Sequence, residues 1–331
     1  MIVELWFRNH KVMRGIAFYS DKATNLKRLE VLDLEPDERL ERAIFHANPD
    51  DDLLERIFSK LNKHKKLELW IEIPNGEPCF NLDRLPRLDN IRKLILRSGW
   101  NVSSLSIICE KIKDLESLDL ESVPKKLSLE PIKLLKKLKR LQIHKSHLGI
   151  EVINDLKLDY LFLEDIRKPS SDLKPLCDEI SFGGCSEEFI KSFKVEEINI
   201  VSLGSSRSIL SLSSLSGFKR IKSLYLYELH SIESLSDLKS VGKIENLFIN
   251  HMRKLKLDEN IEKFVDLSFL KIVGDTSITQ PQLKHLNKLS QLKYGQIIIE
   301  ENKKLNFKAY PLIKLLLNKE EALFQLRTAN L

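Results

Sequence analysis

The side chains able to do chemistry are few and scattered. His144 and His147 form a His-x-x-His pair, a spacing at which two imidazoles can share one ion. No third ligand lies at a fitting distance along the chain, so no metal is expected. The four cysteines, Cys79, Cys109, Cys177 and Cys185, match neither a zinc ribbon nor a redox Cys-x-x-Cys pair. Cys177 opens the run Cys177-Asp178-Glu179 inside a strand-like phrase, where a thiol reads as core rather than as a nucleophile. No Gly-rich phosphate loop, nucleophile-elbow serine or isolated carboxylate pair stands out. The expectation is a chain with no catalytic residue and no cofactor, hence not an enzyme.

The bulk numbers narrow the class further. Hydrophobic residues make up 42% of the 331, and aromatics only 7%, so the apolar content is mostly Leu, Ile and Val. That is ample for a buried core and argues against disorder. The 54 Lys+Arg against 48 Asp+Glu leave a charge of +6, mild for a dedicated nucleic-acid binder. The opening MIVELWFRN meets Glu4 and Arg8 before an apolar run can build, so no signal peptide is expected. No stretch approaches the ~18 uncharged apolar residues of a membrane span. The reading is a soluble, cytoplasmic protein, monomeric and without a membrane partner.

The elements that position these residues follow from one recurring phrase, apolar-x-x-apolar-x-apolar. It reads LEVLDL at 29–34, IRKLIL at 91–96, LESLDL at 115–120, LKRLQI at 138–143 and LDYLFL at 158–163. It continues as CDEISF at 177–182, VEEINI at 195–200, IKSLYL at 221–226, IENLFI at 244–249 and LSFLKI at 267–272, with weaker copies LELWIEI at 67–73 and LSQLKY at 289–294. After a first step of 37 residues from Leu32 to Leu69, the middle apolar positions recur about every 22 residues. Within each phrase the period-2 alternation makes a short strand with its middle and last apolar side chains on one face. One strand cannot bury that face alone, whereas stacked copies share a continuous apolar column and pair their backbones.

Over residues from about 26 to 300 the sequence resembles the leucine-rich-repeat family. The resemblance implies an α/β solenoid with a curved parallel sheet on the concave face and helices and irregular loops on the convex face. It departs from the family at one place. Three residues beyond the last apolar position, where the family carries Asn or Cys, stand Gly99, Val123, Ser146, Ile166, Cys185, Leu203, Leu229, Met252 and Asp275. The loops must therefore be satisfied in another way.

A single solenoid domain over 1–331 is expected, with an N-terminal cap at 1–28, about twelve repeats at 29–300 and a helical C-terminal cap at 301–331. IVELWF at 2–7 alternates like an edge strand, DERLERAIFHA and DDLLERIFSKL read as two helices, and PLIKLLLNKEEALFQL at 311–326 reads as a capping helix. Outer-face helices, one of them within EPIKLLKKLK, are expected towards both ends, with a helix-poor middle around Pro169, Pro175 and Gly183-Gly184.

Residues flanking the buried positions point outward. Among these, Tyr160, Phe162, Tyr225, Tyr227, Phe248 and Phe269 are the type that anchors protein interfaces. Lys93 and Arg97 beside Asp119 and Glu121 would add charge selectivity. The functional expectation is a protein-binding module gripping its partner on the concave face, in a sharper form a toxin-neutralising immunity or inhibitor protein. The rival readings are an exported effector or receptor-like protein, and nucleic-acid binding through the basic segment 125–145. That segment lacks interleaved aromatics and reads as an ordinary surface helix, so nucleic acid is not the expected partner.

Overall fold

The computed structural model describes residues 4–8, 11–299 except 22–23, 26, 29–39, 65, 146–147, 169–171, 242 and 275–277, and 313–316. The chain divides into two compact units, residues 1–160 and 161–331.

In the first unit the strands β1 (Glu4–Arg8), β2 (Lys11–Phe18), β3 (Arg42–Phe45), β4 (Leu67–Ile71), β6 (Ile91–Leu96), β8 (Ser117–Leu120) and β9 (Arg140–His144) lie side by side in that order. β5 (Phe80–Asn81) and β7 (Trp100–Asn101) form a separate parallel pair. β1 is an antiparallel edge strand on β2, as the IVELWF alternation predicts, and every later pairing is parallel. The register links Ala43, Leu69, Leu94, Leu118 and Leu141, all at most 1% exposed, into one column.

β3 corrects the expectation of a helix over DERLERAIFHA. Leu40-Glu-Arg-Ala43-Ile-Phe45 obeys the repeat phrase with Ala in the middle, and its pairing between β2 and β4 overrides the local helical preference. The helix expected over DDLLERIFSKL is present as α1 (Asp51–Leu61). Its N-cap Asp50 accepts the Leu53 amide proton at 2.8 Å, and it buries Leu53, Leu54, Ile57, Phe58 and Leu61. Phe58 stacks on Phe45 at 5.5 Å between ring centres, and Phe45 lies 5.0 Å from Phe18. The LEVLDL phrase lies outside the described residues.

β10 (Lys157–Glu164) falls at the division. The second unit then stacks β11 (Leu176–Gly183), β12 (Ile198–Gly204), β13 (Ile221–Tyr227), β14 (Asn246–Asn250), β15 (Phe269–Gly274), β16 (Tyr294–Ile299) and β17 (Ile313–Leu316), all parallel. The register runs Ile180–Val201–Leu224–Leu247–Leu270–Gly295. Two phrases were therefore set three residues early. The true copies are Ile198-x-x-Val201-x-Leu203 and Leu292-x-x-Gly295-x-Ile297, so Ile198 and Leu292 are first rather than middle positions. Four phenylalanines fill the core behind these strands, with Phe193 in contact with Phe182, Phe189 and Phe218 at 5.0, 5.6 and 6.0 Å.

The Asn ladder is replaced by backbone geometry. The fourth residue after the middle position is left-handed in eight successive copies: Ser122, Lys145, Asp165, Gly184, Ser205, Glu228, His251 and Gly274. This turn aims the residue's N–H at the next strand. Asp165 donates to Gly183 O, Gly184 to Gly204 O, Ser205 to Tyr227 O, Glu228 to Asn250 O and His251 to Val273 O, at 2.8 to 3.2 Å. In the copy that keeps the family's Cys, the Cys185 thiol donates to Leu163 O at 3.3 Å.

Between strands the chain returns through short helical turns. α2 (Leu105–Lys111), α3 (Glu187–Lys191) and α4 (Gln280–Leu286) are α-helical, while 130–134, 150–155, 212–217, 236–240 and 259–263 are single 3-10 turns. The helix expected in EPIKLLKKLK is thus one 3-10 turn, and the middle of the chain carries α3 directly after Gly183-Gly184. A repeat of about 22 residues spends most of its length on strand and turns, leaving five to seven for the return. β17 likewise replaces helix with strand at 313–316, because the edge of β16 offers an unpaired ladder. The rest of the C-terminal cap lies outside the described residues.

Candidate functional site

The outward face of the first unit is a lattice of alternating charge. Each strand presents a residue to the register-matched position of the next, which sets Arg42, Glu68 and Lys93 in one row. Arg42 Nη2 lies 2.9 Å from Glu68 Oε2, and Lys93 Nζ lies 3.6 Å from Glu68 Oε1. In a second row Arg97 bridges Glu72 at 3.6 Å and Glu121 at 3.8 Å. Trp70 sits between the rows with the Arg42 and Arg97 guanidinium carbons 4.1 and 5.1 Å from its ring centre. The predicted Lys93, Arg97 and Glu121 are therefore brought together, but each is already paired inside the chain.

Asp119 faces His144 across β8 and β9, with Oδ1 3.3 Å from Nε2. Asp119, Glu121 and His144 bring one donor atom each within 4.8 Å of one another, a set a divalent ion can use. A search along the chain misses this set because its members come from neighbouring strands. Arg97 already compensates its Glu121 carboxylate.

Of the six predicted aromatics, three rest on their own neighbours. The Arg140 guanidinium carbon caps Tyr160 at 4.4 Å. Phe162 lies over Gly183, where a Cβ would stand 3.3 Å from its ring, and Tyr227 lies over Gly204, where a Cβ would collide with the ring. Both glycines serve as a flat floor for a neighbouring strand's aromatic.

The remaining three form a continuous ladder with a fourth. Tyr225 and Phe248 stack at 4.0 Å and 4°, Phe248 meets Phe269 at 5.0 Å, and Phe269 stacks on Tyr294 at 5.1 Å and 17°. All four are part-exposed. Burial, and then the charge of Glu179, pushes the Tyr225 hydroxyl above its ordinary value. Tyr294 escaped the sequence reading because the last phrase, set three residues early, assigned it to the inward face. On β12, the other strand with that shift, the register places Ile200 and Ser202 on the outward face.

The other chemical candidates fall into the framework. Burial pushes the Cys177 thiol up to about 12, so it is protonated at neutral pH. In the basic segment Lys137 pairs with Asp114 at 2.7 Å and Lys133 pairs with Glu130. His147 lies outside the described residues. Among the described residues, no helix is long and apolar enough to cross a membrane.

A strand, a left-handed turn and a short helical return, repeated in parallel register with an apolar column in each unit, define a leucine-rich-repeat architecture. Among solved structures the chain is similar to an internalin from Listeria monocytogenes, at 18% identity and TM-score 0.39, covering 84% of this chain and 68% of that one. It is also similar to a leucine-rich-repeat protein from Leptospira interrogans, at 15% identity and TM-score 0.40, covering 92% and 89%. A second internalin of L. monocytogenes, internalin C2, aligns at 16% identity and TM-score 0.24, covering 75% and 83%. No family model and no curated protein matches the chain.

Proposed function

We propose that the protein is a non-catalytic protein-binding module whose partner docks on the outward, concave face of the second unit. The observation that carries this reading is the ladder Tyr225–Phe248–Phe269–Tyr294, four part-exposed rings drawn from four consecutive strands. Aromatics stacked on a solvent-facing sheet cost solubility and supply large, rigid contact area, the combination found at interface anchors. The first unit's outward face contrasts with it, since its charges are spent on one another, and we assign it no contact. An immunity or inhibitor role needs no further site than this face.

The test is affinity capture from the host lysate with three proteins: wild type, Tyr225→Ala/Phe248→Ala and Lys93→Ala/Arg97→Ala. One protein held by wild type and by the charge variant, and lost by the aromatic variant, supports the reading. Equal capture by all three contradicts it, and circular dichroism of each variant separates loss of binding from loss of fold.

A further inference from the structure

Few charged side chains are buried among the described residues, and most have a compensating group. Arg42 pairs with Glu68, Asp119 Oδ1 lies 3.3 Å from His144 Nε2, and Arg28 donates to Ala17 O and covers the Tyr19 ring. Lys271 differs. It is 6% exposed, yet it makes no hydrogen bond or ion pair with a described residue. Its place is the middle of the aromatic ladder: Phe248 stands beside it on β14, Gln296 beside it on β16, and Phe269 two residues earlier on the same face of β15. Its Nζ is not among the sealed polar atoms, so the stem is enclosed while the ammonium keeps an outlet to solvent.

Packing alone does not account for a lysine here. A methionine of similar length fills the same space without the cost of stripping water from a cation. Burial lowers the Lys271 pKa, and no carboxylate among the described residues offsets it. The surface thus holds one uncompensated positive charge in an apolar frame, which returns free energy when an anion arrives and water leaves. A single cation among four rings suits a single carboxylate. A polyanion needs adjacent cations, whereas the row reads Tyr225, Phe248, Lys271, Gln296, Lys314, with Phe248 and Gln296 as the immediate neighbours of Lys271.

We infer that Lys271 is the carboxylate-binding position of the ladder, and that the partner presents to it a Glu or Asp side chain flanked by apolar or aromatic residues. This rests on the docking reading above and adds the chemistry of what docks.

The test is selection of a random peptide library displayed on phage against the full chain, followed by affinity measurement of the selected peptides. Selected sequences should share one acidic position between apolar residues. Changing that Glu to Gln should weaken binding to wild type about 10- to 100-fold, the range of a charged hydrogen bond. The same change should leave binding to Lys271→Met nearly unaffected, as a double-mutant cycle requires. The Glu-to-Gln peptide needs no protein variant, so it reads the site even where Lys271→Met perturbs the fold. Apolar peptides without an acidic position, lost on Tyr225→Ala/Phe248→Ala, would overturn the lysine's role and leave the docking face standing. No enrichment, or peptides insensitive to the aromatic variant, would overturn both.

Discussion

Gly217→Ala probes the packing of the second unit at its tightest point. Gly217 closes the 3-10 turn at 212–217, and its carbonyl accepts the Val195 amide proton at 2.9 Å. A Cβ there would stand 3.0 Å from the Phe193 carbonyl carbon and inside the contact distance of its oxygen. The obstacle is backbone, so no rotamer change relieves it. Phe193 cannot retreat either, since it is 0% exposed and wedged among Phe182, Phe189 and Phe218. The methyl must therefore separate two neighbouring repeats by a large part of an ångström, an overpacking cost of about 3 kcal/mol. Gly204→Ala is the control, because its clash is with one edge of the part-exposed Tyr227 ring, a side chain that can swing outward, rather than with backbone. That change should cost about 1 kcal/mol or less. Urea titration followed by circular dichroism reads both as shifts in midpoint, the appropriate quantity where an array unfolds in more than two states. A midpoint for Gly217→Ala equal to that of Gly204→Ala would refute the argument.

Ser122→Gly, at φ 54, should raise stability by about 0.5–1 kcal/mol in the same titration, since the left-handed turn penalises a side chain there. Lys271→Met should be more stable than wild type at neutral pH. With the folded-state pKa depressed, the unfolded chain binds more protons over the window between the two values, so wild-type stability rises with pH there. The lead of Lys271→Met should accordingly shrink as pH climbs towards the ordinary lysine value of 10.5, and a constant lead would contradict the desolvation argument. Arg42→Ala takes one cation off Glu68 and one off Trp70, and should cost about 1–2 kcal/mol in thermal unfolding.

Much of this fold is written in period 2. Where three apolar residues fall at the phrase's spacing with nothing competing, as in Leu115, Leu118 and Leu120, strand, face and register follow at once. The misreadings share a physical cause. Val195 and Ile198 are spaced like the first two positions of a copy, so the phrase locked three residues early, and Gly295 hid a middle position behind a missing side chain. Leu40, Ala43 and Phe45 were masked by acidic neighbours that mimic a helix start. The candidate site was legible to the extent that register was. Tyr225, Phe248 and Phe269 were visible, Tyr294 was lost with Gly295, and the pairing of Lys93, Arg97 and Glu121 needed the neighbouring strands in place. The left-handed turn leaves almost no trace in residue type, because Ser, Lys, Asp, Glu and His occupy it as well as Gly.

Site-specific photo-crosslinking tests the central claim most directly. A benzophenone amino acid is placed at Phe248, inside the ladder, and separately at Leu134, which is 48% exposed on a return turn. After irradiation in the host, the Phe248 position should yield one discrete protein adduct and the Leu134 position none. An adduct from Leu134, with none from Phe248, would place the partner away from the ladder and contradict the account.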